Sequence, residues 1–188
     1  MPDIWFTADT HFGHRNIVKY CGRPFAMVEG HDATIVQLWN ERVKPGDTVY
    51  HLGDFGMPQG FDDPKAYLRS IRCQLSGQIH LIRGNHDKMI KGWIANSFAS
   101  VSDYKRIKTG PKPRHGIVLC HYAFRTWHGS GRGTWNLHGH SHGNLESVDT
   151  MLQLDVGVDC HGFAPVSYDE VAKVMSKRTF EPVDHHGR

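Results

Sequence analysis

The apolar segment over residues 79–83 ends abruptly at the tetrapeptide Gly84-Asn85-His86-Asp87. An alternating apolar run that stops at Gly-Asn predicts a buried strand followed by a sharp turn. In open α/β sheets, turns at the carboxyl ends of strands are the places where ligands bind. Asn, His and Asp are also ordinary turn and helix-cap residues. The tetrapeptide therefore constrains function only together with the groups that the rest of the chain supplies.

Strand and helix patterns alternate through the first half of the chain. In order, strands and helices are predicted over 3–8, about 32–43, 48–52, 64–75 and 79–83. A short helix is predicted over 88–98, with Trp93 and Ile94 facing inward. This alternation, with a polar turn after each strand, indicates a parallel α/β sheet.

The second half of the chain has a different pattern. Segments 104–108 and 116–120 flank a Gly-Pro-Lys-Pro turn and predict a β-hairpin, and 151–158 predicts a further strand. A capping box at Ser167 to Glu170 predicts a last helix that ends near Lys177. Without a repeat or linker, we expect one domain over 1–178 and a polar tail over 179–188.

Histidine is the unusual component of the composition, with 15 residues against 22 Lys plus Arg. An excess of imidazole indicates metal binding or proton transfer. The four cysteines form no C-x-x-C pair, and no apolar run reaches the length of a membrane span, which predicts a cytoplasmic protein without a membrane partner. A net charge of +3 permits an anionic substrate but does not indicate a nucleic-acid surface. The oligomeric state stays open.

Side chains with nitrogen or oxygen donors follow the predicted strand ends: Asp9, His11, Asp54, Asn85, His86, His121, His140 and His142. Strand ends of a layered α/β fold meet at one rim. A donor set of this kind without thiolates suits Mn, Fe or Zn, whereas Mg usually avoids so many imidazoles. The seven donors other than His86 are too many for one catalytic zinc and fit two adjacent ions that share a carboxylate.

The motifs D-x-H, G-D, G-N-H-D, a lone His and G-H-x-H occur in this order between residue 3 and about residue 160. This series resembles the calcineurin-like metallophosphoesterase superfamily. The segments 9–14 and 135–143 are similar to those of its small, uncapped bacterial and phage members. The resemblance implies an α/β fold in which two sheets and their helices form a four-layer α/β/β/α sandwich.

The resemblance also implies a role for each motif residue. The first metal ion would be bound by Asp9, His11 and His142, and the second by Asn85, His121 and His140. Asp54 would bridge the two ions, His86 would be the catalytic histidine, and Asp87 would hold His86. We expect two divalent ions, with manganese favoured and iron, zinc or nickel as alternatives.

The expected chemistry follows from two adjacent cations. They lower the pKa of a water held between them, so that a bridging hydroxide is available as the nucleophile. They also draw charge from the phosphoryl oxygens in the transition state. His86 would donate a proton to the leaving oxygen or a hydrogen bond to the phosphoryl group, and Asp87 would fix its tautomer.

Four further residues are candidates for substrate binding. His14 and Arg15 follow the first ligands, where a substrate phosphate would arrive. Arg125 and Trp127 lie in an aromatic, basic loop after His121, where a Trp can stack on a base and an Arg can hold a phosphate. The alternative is a solvated arginine in each loop and a Trp that packs inward.

The expected function is therefore hydrolysis of a small phosphoester, with a nucleotide among the candidate substrates. A phosphodiester is favoured because small uncapped members have an open site. The alternatives are a phosphomonoesterase that acts on a nucleotide or phosphoprotein, a nuclease, and a metal-bound interaction module without turnover. The complete set of motif residues argues against the interaction module.

Overall fold

The strand and helix patterns of the first half fold into one mixed sheet. The computed structural model describes residues 2–111, 114–146 and 148–181 of the chain. In spatial order, the first sheet contains β4 (Ser100–Ser102), β3 (Gln78–Ile82), β2 (Thr48–His51), β1 (Ile4–Thr7) and β9 (Val166–Ser167). The neighbours β1 to β4 are parallel, whereas β9 is antiparallel to β1. The predicted parallel core of the sheet is therefore present.

The second half of the chain forms a second sheet. In spatial order it contains β5 (Lys105–Thr109), β6 (His115–Leu119), β7 (Trp135–His138) and β8 (Gln153–Asp155). β5 and β6 are the predicted antiparallel hairpin, and β7 and β8 add in parallel.

Four α-helices accompany the sheets in the described parts of the chain: α1 (Ile17–Tyr20), α2 (Val28–Arg42), α3 (Pro64–Gln74) and α4 (Tyr168–Met175). α3 begins where the sequence predicts it, because the Asp63 carboxylate accepts hydrogen bonds from the amides of Lys65 and Ala66. The capping box of α4 is also confirmed, with Ser167 and Glu170 each bonding the backbone amide of the other.

Two cores separate the layers. Along β1, Trp5 packs towards the helices, whereas its neighbour Phe6 packs towards the second sheet. The first core joins β1, β2 and β3 to α2 and α3 and includes Trp5, Ile35, Trp39, Val49, Leu68, Ile71 and Leu81. The second core joins both sheets and α4 and includes Phe6, Ile82, Ile117, Leu119, Leu137, Val171 and Met175. Two packed sheets flanked by helices confirm the predicted sandwich.

The segment 88–98 differs from its prediction. It contains two 3₁₀ segments, Asp87–Met89 and Gly92–Ser97, in place of one short α-helix. Ile94 is buried as predicted, but the prediction for Trp93 is wrong, since that residue is 47% exposed. Adjacent residues of a tight 3₁₀ turn face different directions, and the Trp93 ring lies instead under the Arg69 guanidinium.

Other boundaries differ by a few residues. α2 begins at Val28, earlier than predicted, and its first turns include the buried residues His31 and Asp32. Within the predicted strand 151–158, the strand of the second sheet is shorter, Gln153–Asp155, and a 3₁₀ turn follows at Val158–Cys160. The polar tail predicted over 179–188 lies outside the described residues from 182 onward. Across the described ranges, every helix is too short or too polar to span a membrane.

Candidate metal centre

The backbone turns left-handed at the ends of the strands that carry the predicted ligands. Positive φ angles occur at Asp9 (57°), His11 (51°), Asp54 (55°), His140 (68°) and His142 (48°). Such angles are uncommon outside glycine and persist where the surrounding structure enforces them. Here the amides of Asp9 and His11 donate 2.9 Å hydrogen bonds to the carbonyls of Gly53 and Asp54, which ties the turn after β1 to the turn after β2.

Two groups of donor atoms result from this arrangement. The first contains Asp9, His11 and His142, and the second contains Asp54, His121 and His140. Within each group the donor atoms all lie within 4.8 Å of one another. The Asn85 amide oxygen lies 2.9 Å from Nε2 of His121 and therefore joins the second group.

The Asp54 carboxylate lies between the two groups. Its Oδ2 is 3.5 Å from Nε2 of His11 and 3.5 Å from Nε2 of His121. Its Oδ1 accepts a 2.9 Å hydrogen bond from the amide of His86. At Gly84 any side chain would collide with Asp54, so the turn after β3 can approach the carboxylate only with glycine there. One oxygen is thus anchored and the other is presented to both groups.

Three of the histidines, His11, His121 and His142, each have an Nε2 atom that could bind a metal ion. Nε2 of His11 is buried and has no hydrogen-bond partner within the described residues. A buried donor atom without a partner is costly, and a metal ion would satisfy it. In His121 and His142, Nδ1 is engaged by the Leu52 carbonyl and the Asp159 carboxylate, at 2.8 and 2.7 Å. In each of these rings Nε2 is therefore the nitrogen that could bind a metal ion, although in His121 it lies 2.9 Å from the Asn85 oxygen.

Burial and charge set the ionisation of these groups. Burial raises the pKa of Asp9 to about 7 and lowers the pKa of His11 well below its ordinary value. Burial also acts to raise the pKa of Asp54, but the imidazoles of His121 and His11 outweigh it and hold that pKa low. A charged Asp54 and a neutral His11 are the forms that bind divalent metals.

His86 lies at the edge of the centre. Its Nε2 is 4.0 Å from Oδ2 of Asp54, its ring centroid is 5.3 Å from that of His11, and its side chain is 36% exposed. Nδ1 lies 3.1 Å from the Met57 sulfur. A partly exposed imidazole beside the carboxylate, outside both donor groups, can contact a substrate.

The stretch of sequence that carries all of these candidate ligands matches a known protein family. A sequence model described as calcineurin-like phosphoesterase matches residues 2–175. The chain belongs to this family. Membership implies metal-dependent hydrolysis of phosphoesters, and the donor groups are the candidate metal sites for it.

Several known proteins are similar to this chain over almost its whole length. An uncharacterised protein of Methanocaldococcus jannaschii is 32% identical, with 94% of this chain and 93% of the relative covered. The gene 66 proteins of Mycobacterium phages D29 and L5 are 27% and 29% identical over 94% of this chain and 97% and 95% of their own. The crystal structure of AQ665 from Aquifex aeolicus, a protein of unknown function, is similar with a TM-score of 0.73 and 26% identity, covering 93% of this chain and 100% of that one.

The structure corrects the contact expected between Asp87 and His86. The Asp87 carboxylate is buried and accepts hydrogen bonds from the amides of Asp54, Phe55 and Gly84, at 2.8 to 2.9 Å. These donors occupy the carboxylate, and no hydrogen bond joins it to the His86 imidazole in the described part of the chain. Burial raises the pKa of Asp87 to about 7, against the effect of the amides. Asp87 therefore connects the turn after β3 to the turn that carries Asp54.

The four predicted substrate-binding residues differ in exposure: one is buried, one is partly buried and two are exposed. His14 is buried, with Nδ1 3.3 Å from Nδ1 of His11, and burial followed by nearby positive charge lowers its pKa to about 4. Arg15 is exposed and lies over the Phe61 ring, and Arg125 is exposed in its loop. The Trp127 indole donates to the Thr134 carbonyl and packs against the second core. For Trp127 the structure thus shows the alternative of an inward-packed ring.

Three residues at this site were not predicted from the sequence. The buried Arg23 and the partly buried Asp159 form an ion pair beside His142, at hydrogen-bond distances of 2.7 Å. Tyr122 is 45% exposed, its ring contacts His140, and its hydroxyl lies 3.5 Å from the Asn85 oxygen. Adjacency to His121 could have indicated Tyr122, whereas nothing local marks the pair of Arg23 and Asp159.

Proposed function

We propose that this chain hydrolyses phosphodiesters at a centre that binds two divalent metal ions, with manganese as the favoured metal. One observation carries the proposal. Oδ2 of Asp54 lies 3.5 Å from Nε2 of both His11 and His121, between two groups of metal-binding side chains. Two ions held about 3.5–4 Å apart by a shared carboxylate are the usual arrangement for in-line displacement at phosphorus.

Each donor group would hold one ion. Asp9, His11 and His142 form the first site, which we call site 1. Asn85, His121 and His140 form the second, which we call site 2. Asp54 would be common to both. Ions bound there would supply Lewis-acid charge for the phosphoryl oxygens and make a water molecule acidic enough to ionise near neutral pH.

His86 is proposed as the residue that transfers a proton to the leaving oxygen. Its imidazole is half-exposed and faces Asp54 with Nε2, which leaves this nitrogen accessible to a substrate that reaches the centre. A positioned acid of this kind contributes about 10²–10⁴-fold to the rate. Asp87 would act indirectly, because its three amide contacts hold the Asp54 turn in place.

The open side of the centre supports a diester with an aromatic substituent, such as a nucleotide. His140 and Tyr122 are both exposed, and their rings are in contact with a centroid distance of 4.7 Å. An exposed Tyr ring beside a phosphate site can stack on a base. Arg15 and Arg125 are retained as candidate phosphate contacts, since both are exposed in loops that follow the ligands.

The proposal is tested with metal-stripped protein. Mn, Zn, Fe, Ni or Mg is added back, ions per chain are measured by elemental analysis, and hydrolysis of bis(p-nitrophenyl) phosphate is compared with that of p-nitrophenyl phosphate and cyclic nucleotides. We expect two ions per chain in the active form, faster hydrolysis of diesters, and no turnover after chelation. Metal at about 100 times its dissociation constant should also add about 2.7 kcal/mol per site to the free energy of unfolding.

Two results would contradict this proposal. Full activity with one ion per chain or none would exclude the two-metal centre. Faster hydrolysis of monoesters in every metal form would favour the phosphomonoesterase.

A further inference from the structure

The Arg23 guanidinium lies behind site 1 and is only 4% exposed. Nε and one terminal nitrogen donate to the two oxygens of Asp159, each at 2.7 Å. The guanidinium also donates to the backbone carbonyls of Asp9 at 2.7 Å and Thr10 at 3.3 Å. The guanidinium is rigid and planar and donates to a carboxylate and to two carbonyls. It therefore fixes the turn after β1 relative to Asp159 and to the loop that carries Arg23.

Asp159 passes this constraint on to a metal ligand. Its Oδ2 lies 2.7 Å from Nδ1 of His142, so the imidazole is held with Nε2 directed away from the carboxylate. Metal-binding histidines are commonly oriented by such a carboxylate, and loss of the partner typically weakens metal binding about 10–100-fold. Arg23 and Asp159 therefore contact both ends of site 1, the backbone of Asp9 and the ring of His142.

The contacts of Arg23 continue into the helical layer. Its second terminal nitrogen lies 2.7 Å from Nε2 of His31, whose Nδ1 is 2.6 Å from Oδ1 of Asp32. The other Asp32 oxygen accepts from the amide of Gly13 at 2.8 Å and from the Tyr67 hydroxyl. The pair thus anchors the loop after β1 to α2 and α3.

The residues Cys21, His142 and Asp159 also lie close enough together to hold an ion. The Arg23 contacts argue against that use, because both Asp159 oxygens already accept hydrogen bonds from a buried cation. A metal ion there would have to displace the guanidinium and face its charge. The group is better explained as the support of His142.

We propose that Asp159 and Arg23 are positioning residues that selectively strengthen metal binding at site 1. The inference rests on the proposed function, since it takes Asp9, His11 and His142 as ligands. Site 2 receives no contact from either residue in the described ranges, so the effect on the two ions should differ.

The test measures Mn²⁺ binding to Asp159→Asn and wild type by equilibrium dialysis and electron paramagnetic resonance. Asp159→Asn should weaken one of the two ions about 10–100-fold and leave the other unchanged. At intermediate metal concentrations its spectrum should show an isolated Mn²⁺ ion where wild type shows a coupled pair. Glu170→Gln is the matched control, because it changes an Arg–carboxylate pair of 2.6 Å at the surface, and it should bind both ions as wild type does.

A second background identifies the site that is affected. In a His140→Ala background, which should weaken site 2, the further change Asp159→Asn should weaken the remaining ion about 10–100-fold. If Asp159→Asn fails to fold, Arg23→Lys replaces it, because it retains the buried positive charge but cannot form the paired hydrogen bonds. The chelated forms of the variants used should unfold within a few degrees of chelated wild type.

The outcomes separate this inference from the proposed function. Wild type that binds fewer than two ions would overturn the proposed function itself. Wild type with two ions, together with variants in which both ions are weakened equally or neither is weakened, would overturn the positioning role alone.

Discussion

Site 1 and site 2 differ in how their ligands are supported. In site 1, Asp9 and His11 are buried, and His142 is held by Asp159. In site 2, His140 is exposed and its ring packs against the exposed Tyr122. Buried polar groups need partners and therefore bring supporting residues with them, whereas exposed groups are solvated by water. The candidate site 1 is thus held by supporting residues, whereas the candidate site 2 is open to solvent.

Asp54 is proposed as a ligand of both sites, so its replacement should have the largest effect. Asp54→Asn retains the shape but removes a negative charge between two cations. We expect more than a 100-fold loss of turnover, since even an indirect partner of a metal ligand is worth about 10–100-fold, and reduced occupancy of both ions. Asn85→Ala, which removes a neutral ligand from site 2 alone, should be less damaging in activity assays and elemental analysis. The reverse order would assign the bridge to another residue.

His86 separates chemistry from metal binding at the boundary of the two sites. His86→Ala should keep the metal content of wild type and lower the rate about 10²–10⁴-fold on esters of ordinary alcohols, which corresponds to about 3–5 kcal/mol of barrier. On p-nitrophenyl esters the loss should be much smaller, because p-nitrophenolate departs without a proton. The ratio of kcat/KM for the two kinds of ester measures this difference.

Equal losses on both esters would assign His86 to stabilisation of the phosphoryl oxygens in place of proton donation. Loss of metal together with activity would make it a ligand.

Graded chelation should distinguish the two sites directly. We expect the ion of site 2 to leave first, because His140 and Tyr122 expose that site to solvent. Elemental analysis against chelator concentration should then show two steps, with the weaker step absent in His140→Ala. A single step in wild type, with both ions lost together, would mean that the different support of the two sites does not change their relative metal affinities.

The smallest effect on the metal centre is expected from Asp47, which lies at the amino ends of β1 and β2, away from the candidate ligands. The Asp47 carboxylate accepts hydrogen bonds from the amides of Asp3 and Lys44 and from the Trp5 indole, at 2.9 to 3.0 Å. Asp47→Asn should lower the free energy of unfolding by about 1–3 kcal/mol at neutral pH and leave metal content unchanged. Denaturant titration of the chelated protein measures it, with the exposed Asp62→Asn as a control that should have little effect.

The contribution of Asp47 should depend on pH. Burial raises the pKa of Asp47, but the amides of Lys44 and Asp3 outweigh burial and hold it below its ordinary value. Stabilisation from a lowered pKa is complete above the unfolded value, about 3.9, and is lost as the pH falls through the folded value. The difference between wild type and Asp47→Asn should therefore shrink below about pH 4, and a difference that grows there would contradict this assignment.

Local sequence patterns predicted the elements whose ends are set by nearby residues. Asp63 with Pro64 marks the start of α3, and Ser167 with Glu170 marks the start of α4, because a cap needs only residues of one turn. The prediction was wrong where distant contacts decide. Trp93 faces outward under Arg69, and the early part of α2 contains His31 and Asp32, which contact Arg23 and the amide of Gly13.

The sequence by itself determined the types and the order of the candidate ligands and their place at strand ends, because strand patterns and adjacent motif residues are local. The resemblance to a family already implied which of them would share a site. Only the tertiary structure decided that Asp87 contacts the Asp54 turn and that Trp127 packs inward. It also revealed the support of site 1. Arg23 and Asp159 are 136 positions apart, and a hydrogen bond across such a separation leaves no local pattern, since it exists only when two packed sheets bring its partners together.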